Sequence, residues 1–341
     1  MNFSENEMQF AVLGPSGAGK TTLLACMSEE FEEVKPGTIF PADPDTFSTL
    51  NKAYKSLENE ANNSQNREFE KAVKSTENLR EYLFHIKGHR AVLPVRFYDF
   101  PGGWMNPSSS DNKQVIEIIK NSAVIIVAIN TPYLMEFDGM YKDQGCPSDE
   151  INWVLNKGFE DDKDKERLIL FVPIKCERYL ETREDRENLS RCVKNTFSKT
   201  LNLTSQPFYR DKLAMAMLPV QTVGNAKFRR FKFGADERVE REIYNKESDG
   251  KKFCPKNVDQ PLRYMMSFLL TQFAENKKKQ SLWRKAWSAL FREGDLKEVA
   301  DYIRNGIISD DDIESGFEIF CGRELIGLPS RRYHVDRPWD V

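Results

Sequence analysis

Short apolar runs alternate with segments of helical periodicity along most of the chain. Several runs are apolar at every position, which is typical of strands buried on both faces of a sheet. Strands are predicted at 8–13, 83–86, 91–98, 123–129, 168–173 and 213–220. Apolar residues at helical spacing predict helices at 19–33, 111–120, 148–158, 183–201 and 261–273. This alternation predicts an α/β fold.

The remaining stretches are predicted to be loops, insertions and a tail. Residues 47–82 are charged and helical in pattern, and the Asn-rich break at 61–66 predicts an inserted pair of helices or a solvated lid. Residues 130–147 are predicted to be a loop. A second insertion at 225–259 contains a basic and aromatic tract whose alternation predicts an exposed strand, either a charged edge hairpin or a contact for a partner. The chain is thus predicted to be one domain at 1–275 followed by a helical extension at 276–341.

Composition narrows the class of protein. The 341 residues are 40% hydrophobic and 30% charged, as in soluble globular proteins, and the net charge of -3 gives no reason to expect a nucleic-acid partner. The longest apolar run, 123–129, is far below the ~20 residues of a membrane span, and the N-terminus lacks a signal pattern, so a cytoplasmic protein without a transmembrane segment is expected. Six cysteines without a C-x-x-C pair and three histidines argue against a disulfide framework and a zinc site.

One motif follows the first strand. It fits the phosphate-loop pattern G-x-x-x-x-G-K-[ST] and consists of Gly14, Pro15, Ser16, Gly17, Ala18, Gly19, Lys20 and Thr21. Its glycines would let backbone N–H groups surround a polyphosphate at the positive end of the next helix. Lys20 would reach the terminal phosphates, Thr21 would ligate Mg²⁺, and Thr22 would complete the nucleotide-binding segment. The alternative is a glycine-rich turn without a ligand.

A second motif ends the strand at 91–98. The Asp99 carboxylate can hold the water shell of Mg²⁺, and Gly102, in D-x-x-G spacing, can offer its backbone N–H to a γ-phosphate. With Lys20, these two residues are the predicted catalytic set. The proline-rich stretch at 38–46 is where a nucleotide switch would carry a Mg²⁺-sensing threonine. Thr38 is the predicted ligand, Thr46 is the other candidate, and either could equally be a helix cap.

The ends of two later strands carry candidates for base recognition. Lys175 and Glu177 follow the strand at 168–173. A carboxylate can accept both N1–H and N2–H₂ of guanine while a lysine stem lies along the base, whereas adenine offers no such donor pair. The pair therefore favours GTP, although a surface ion pair would give the same pattern. Thr222, in the exit of the strand at 213–220, would lie beside the base.

Together these motifs resemble the translation-factor-related (TRAFAC) class of phosphate-loop GTPases. In detail, the segments 99–104, 172–177 and 257–262 resemble the bacterial double-GTPase-like proteins of predicted conflict systems. The resemblance covers roughly residues 8–273. It implies a three-layer P-loop fold whose six-stranded sheet is mostly parallel with one antiparallel strand. Ile174 and Glu177 replace the usual polar residue and aspartate of [NT]-K-x-D. Gly103 stands where many small GTPases have a water-positioning glutamine, which implies slow hydrolysis or a residue supplied by a partner.

The sequence therefore predicts a Mg²⁺-dependent switch that binds GTP and GDP, hydrolyses GTP slowly and signals to an unidentified protein partner. That partner could be a second copy of the chain or a companion protein of the same system. Two alternatives remain open: an ATPase or small-molecule kinase on the same fold, and an interaction module that binds nucleotide without turnover.

Overall fold

A mixed sheet of eight strands organises the part of the protein that the structure describes. The structure, a computed structural model, describes residues 7–31, 38–41, 43–63, 68–69, 78–87, 92–246, 252–275 and 319–322. The strands of this sheet are β1 (Met8–Leu13), β2 (Thr38–Pro41), β4 (Arg80–Lys87), β5 (Val92–Asp99), β6 (Val124–Asn130), β7 (Arg167–Ile174), β8 (Leu213–Met217) and β11 (Ile319–Gly322). Their spatial order is β11-β8-β7-β6-β1-β5-β4-β2.

The six central strands confirm the predicted sheet. From β8 to β5, neighbouring strands are parallel, and β4 is antiparallel to β5. Two short edge strands, which the apolar pattern did not predict, extend the sheet: β2 pairs with β4 and β11 pairs with β8, both antiparallel. Edge strands need no continuous apolar run, because a neighbour covers only one of their sides.

Helices cover both faces of this sheet. The longer ones are α1 (Lys20–Phe31), α2 (Pro44–Asn62), α3 (Asn112–Asn121), α6 (Ser148–Glu160), α7 (Arg183–Thr196) and α9 (Gln260–Glu275). Alternate residues of β1 divide between two apolar cores: Phe10 and Val12 pack with α1, α2 and α9, and Ala11 and Leu13 pack with α3, α6 and α7. The predicted three-layer α/β fold is thereby confirmed.

Several connections differ from the prediction. The interval 130–147 contains the short helices α4 (Thr131–Met135) and α5 (Lys142–Gly145), and the helix predicted at 183–201 breaks at Phe197 before α8 (Ser198–Leu201). Short helices of one turn or so lack the long periodicity that predicts a helix from sequence.

The pair of helices predicted for the first insertion, 47–82, is only partly present. Its first helix exists as α2, whose N-cap is Asp43. The second predicted helix is wrong where the structure describes it, because 68–69 form β3 (Glu68–Phe69) and β4 begins at Arg80. The helical extension predicted at 276–341 is likewise wrong at 319–322, which form β11. The rest of that extension, 276–318 and 323–341, lies outside the described residues.

The second insertion forms a small sheet of its own. The strands β9 (Ala226–Phe233) and β10 (Val239–Lys246) make an antiparallel hairpin, and β3 pairs with β10 to give the order β3-β10-β9. In β9, Phe228 and Phe231 are buried while Arg229, Arg230 and Lys232 are exposed. The predicted exposed strand is therefore confirmed. In the described part of the chain, no helix is long and apolar enough to span a membrane.

Candidate nucleotide-binding site

The phosphate-loop residues form one continuous turn from β1 into α1. Gly14 has a φ of 145°, and a Cβ added there would lie 2.7 Å from the carbonyl oxygen of Ala128 in β6. Gly19 has a φ of 111°, and its added Cβ would lie 2.9 Å from Ile174 Cδ1 in β7. Both positions therefore need glycine. The loop sits against the carboxyl ends of two neighbouring parallel strands, where open α/β sheets bind ligands.

The three side chains predicted to act on phosphate and metal meet in one buried group. Lys20 Nζ donates to the carbonyl oxygens of Gly14 at 3.0 Å and Pro15 at 3.3 Å and lies 3.8 Å from Asp99 Oδ1. Thr21 Oγ1 donates to Asp99 Oδ2 at 2.7 Å. The lysine, the hydroxyl and the carboxylate are all buried. The strand register produces this meeting, because Val12 of β1 pairs with Asp99 of β5.

The donor set fits Mg²⁺. Hydroxyl and carboxylate oxygens are the protein ligands that Mg²⁺ uses beside nucleotide phosphates and water. Among the described residues there is no group of three His, Cys, Asp or Glu side chains that could hold a metal by protein ligands alone. A Mg²⁺ ion at Thr21 and Asp99 would therefore depend on the nucleotide for further ligands.

Tyr82 adds a feature that the sequence prediction missed. It lies in β4 and is 2% exposed, and its buried hydroxyl lies near Asp99, Arg80 and Thr21. Burial and the nearby Asp99 carboxylate raise the pKa of Tyr82. Tyr82 is therefore a neighbour of the Thr21 and Asp99 side chains that would hold an ion. The β4–β5 register, which pairs Arg80 with Asp99, is the signal that places Tyr82 there.

Gly102 lies directly against the phosphate loop. A Cβ added to it would lie 2.3 Å from the backbone nitrogen of Ser16 and 2.5 Å from backbone atoms of Pro15. Contact of backbone on backbone leaves room for no side chain. Gly103, one residue later, has nothing within 4 Å of an added Cβ. The D-x-x-G segment thus packs directly against the phosphate loop.

The threonines at 38–46 do not reach this group. Thr38 pairs with Lys87 and Lys87 with Val92, so Thr38 lies seven positions from Asp99 along the strand direction, roughly 23 Å away. Thr38 is therefore wrong as a ligand of an ion held by Asp99. Thr46 lies in the first turn of α2, where its hydroxyl donates to the Asp43 cap at 2.8 Å and accepts from the Leu83 N–H at 3.0 Å, which is a structural role.

Lys175 reaches the phosphate loop from the end of β7. Its Nζ donates to the Gly17 carbonyl oxygen at 3.1 Å and to Glu242 Oε2 at 2.5 Å. Its φ of 57° is rare for a residue with a side chain, and such strain is often found at functional sites. The structure thus brings this base-recognition candidate together with the phosphate loop.

Glu177 is bound to the loop that follows β8. The residue is 6% exposed, and its Oε1 accepts from the backbone N–H groups of Val223 at 3.1 Å and Gly224 at 3.3 Å. Burial raises the pKa of Glu177, and these N–H donors oppose the rise. Thr222 is buried in the same loop. Glu177 therefore joins the ends of β7 and β8, the two places where base recognition is predicted.

The site combines a phosphate loop, an aspartate that faces the loop's threonine, a D-x-x-G glycine packed on the loop and a lysine that reaches the loop from the end of β7. This combination defines a P-loop nucleotide-binding protein of the GTPase class. Residues 10–221 match the sequence profile of the family described as Double-GTPase 2. The chain belongs to this family. That match covers the phosphate loop, the D-x-x-G segment and the 174–177 segment, as the sequence resemblance predicted.

Other comparisons return distant likenesses. None of the curated proteins matches the chain. A GTP complex of the signal recognition particle receptor SRb with SRX from Chaetomium thermophilum is 14% identical over 65% of this chain and 93% of that chain, with a TM-score of 0.37. Roco2 RocCORdC of Methanosarcina barkeri bound to GDP is 9% identical over 89% and 68%, with a TM-score of 0.32. The GDP complex of sup35 is 10% identical over 64% and 38%, with a TM-score of 0.30.

Proposed function

We propose that this protein is a Mg²⁺-dependent guanine-nucleotide switch that hydrolyses GTP slowly by itself. The observation that carries the proposal is the buried group of Lys20, Thr21 and Asp99 with Gly102 packed on the loop beside it. Lys20 and the loop N–H groups would neutralise charge on the β- and γ-phosphates. Thr21 and Asp99 would hold Mg²⁺, which supplies further positive charge when bound.

The D-x-x-G segment would report the γ-phosphate. Because Gly102 packs closely on the backbone of Pro15 and Ser16, a change at the phosphate loop would be passed to this segment. Its backbone N–H would bond to the γ-phosphate of GTP and lose that bond after hydrolysis. The switch is therefore expected to have two positions of the 102–106 segment.

Base selection would come from Lys175, Glu177 and Thr222. The Lys175 stem would lie along the base, and the carboxylate of Glu177 would accept the N1–H and N2–H₂ donors that only guanine presents. Val223 and Gly224 bond Glu177 through Oε1, so Oε2 is the oxygen proposed to face guanine.

Slow turnover is inferred from Gly103. A glycine at this position has no side chain with which to orient water, and the space around it is open. A partner, either a second copy of the chain or a companion protein in the cytoplasm, would fill that space with the missing group. The same glycine favours a second candidate function, a nucleotide-binding interaction module without turnover.

The test is nucleotide binding and phosphate release by the purified protein. We expect the wild type to bind fluorescent GDP and GTP with Mg²⁺ and to release phosphate slowly. Lys20→Ala should weaken nucleotide binding by at least tenfold, about 1.4 kcal/mol, and should release no phosphate. Binding without any phosphate release at any protein concentration would select the module. Equal binding by the wild type and Lys20→Ala would contradict the proposed site.

A further inference from the structure

The hairpin of β9 and β10 places a carboxylate beside the base-recognition lysine. Glu242 of β10 receives Lys175 Nζ at 2.5 Å and the Tyr244 hydroxyl at 2.6 Å on Oε2, and it receives the Asn130 side-chain amide on Oε1. One side chain of the second insertion therefore bonds to the ends of β6 and β7.

Lys175 lies between this carboxylate and the phosphate loop. Its Nζ donates both to Glu242 and to the Gly17 carbonyl oxygen, and the two ionic side chains are only 19% and 12% exposed. A sheltered, hydrogen-bonded ion pair fixes a lysine more firmly than an exposed pair does, because solvent screens it less. Without Glu242, the flexible lysine stem would have one carbonyl oxygen to hold its position.

We propose that Glu242 is a positioning residue for nucleotide binding: it holds Lys175 against the phosphate loop, so that the bound guanine nucleotide and the β9–β10 hairpin stabilise each other. The inference rests on the proposed function, since Lys175 is taken there to lie along the base. By reciprocity of coupled binding free energies, displacing the hairpin would weaken nucleotide binding.

The hairpin also has packing contacts that do not involve Glu242. Phe228 and Phe231 are buried and contact each other with ring centroids 4.9 Å apart, and Phe231 lies 4.9 Å from Tyr133. At the far end of β10, Lys246 Nζ donates to the Asn63 carbonyl oxygen at 2.7 Å. A variant of Glu242 can therefore be tested in a folded protein.

The experiment compares Glu242→Gln with Glu240→Gln, an exposed glutamate of the same strand whose side chain pairs with its neighbour Arg241. The readouts are the dissociation rate and Kd of fluorescent GDP. We expect Glu242→Gln to release GDP about tenfold faster, Glu242→Asp to recover part of the affinity because it keeps the charge, and Glu240→Gln to match the wild type. All four nucleotide-free proteins should fold cooperatively, with a lower thermal midpoint for Glu242→Gln, because its contacts with Lys175 and Tyr244 are weakened, and an unchanged one for Glu240→Gln.

A double-mutant cycle gives the decisive comparison. If Glu242 acts through Lys175, adding Glu242→Gln to Lys175→Met costs no further affinity. Unchanged or tighter GDP binding by Glu242→Gln would overturn the inference, and so would additive effects of the two substitutions. As long as the wild type binds guanine nucleotide, these results would leave the proposed function standing. A wild type that binds no guanine nucleotide would overturn both.

Discussion

Replacing Gly102 with alanine tests whether the D-x-x-G segment works by contact with the phosphate loop. The added methyl group would lie 2.3 Å from the Ser16 nitrogen and 2.5 Å from the Pro15 backbone. Ordinary Cβ contacts begin near 3.4 Å. Since both sides of the contact are backbone, no side-chain rotation can relieve it, and the two segments must separate by about 1 Å.

A displacement of this size affects catalysis more than folding. Misplacing catalytic groups by about 1 Å can cost roughly 100-fold in rate, whereas overpacking costs about 1–3 kcal/mol of stability. We therefore expect Gly102→Ala to remain folded, to bind GDP, and to lose most of its affinity for a GTP analogue and about 100-fold of its phosphate release.

The matched control is Gly103→Ala, because the space around an added Cβ there is open. Single-turnover phosphate release and binding of GDP and a non-hydrolysable GTP analogue should be measured for both variants. Gly103→Ala should match the wild type in all three. If Gly102→Ala also matches the wild type, the D-x-x-G segment does not act through the phosphate loop.

Three further outcomes are expected. EDTA should speed release of fluorescent GDP from the wild type but not from Thr21→Ala, because the variant has lost the hydroxyl that would hold Mg²⁺; an equal response of both proteins would exclude Thr21 as a ligand. Tyr82→Phe should remain folded, because it keeps the buried ring, yet it should weaken Mg²⁺-dependent nucleotide binding several-fold, because it removes the hydroxyl near Thr21 and Asp99. Unaltered Mg²⁺ dependence of this variant would count against an ion site beside Tyr82. Burial, together with the nearby positive charge of Arg167, lowers the pKa of Lys165 to about 8. Between pH 8 and 10, Lys165 of the unfolded chain therefore holds a proton that the folded protein has released. The free energy of unfolding should rise with pH across this window. In urea titrations at pH 7.5 and 9, the free energy of unfolding should rise less for Lys165→Met than for the wild type. An equal rise for both proteins would show that Lys165 is not the group responsible.

The phosphate-loop half of the site is the part that sequence predicts best. Gly14 and Gly19 have positive φ, Gly102 has no room for a side chain, and Asp99 follows a strand whose apolar pattern is clear, so a short motif at fixed spacing identifies all four residues. Parallel strands then bring the segments to one edge of the sheet.

The remaining features depend on contacts between distant segments. The prediction that Thr38 is a Mg²⁺ ligand is wrong because the short strand β2 has no periodic pattern that identifies it as a strand. The register of β2 with β4 then places Thr38 far from Asp99. Glu242 lies in an insertion and reaches Lys175 across 67 positions of sequence, so no spacing rule points to it. The N–H donors to the Glu177 carboxylate likewise come from the loop at 222–224, which lies more than 40 residues later in the sequence, so spacing along the chain does not predict them.

The central claim is guanine recognition by the 175–177 segment, and calorimetric binding of GTP and ATP analogues with Mg²⁺ tests it most directly. The wild type should be compared with Glu177→Gln, which still offers Oε1 to the Val223 and Gly224 N–H groups but presents an amide to the base. We predict that the guanine analogue binds the wild type at least tenfold tighter, about 1.4 kcal/mol, and that Glu177→Gln removes the preference without lowering the thermal midpoint. Equal or tighter binding of the ATP analogue by the wild type would contradict the claim.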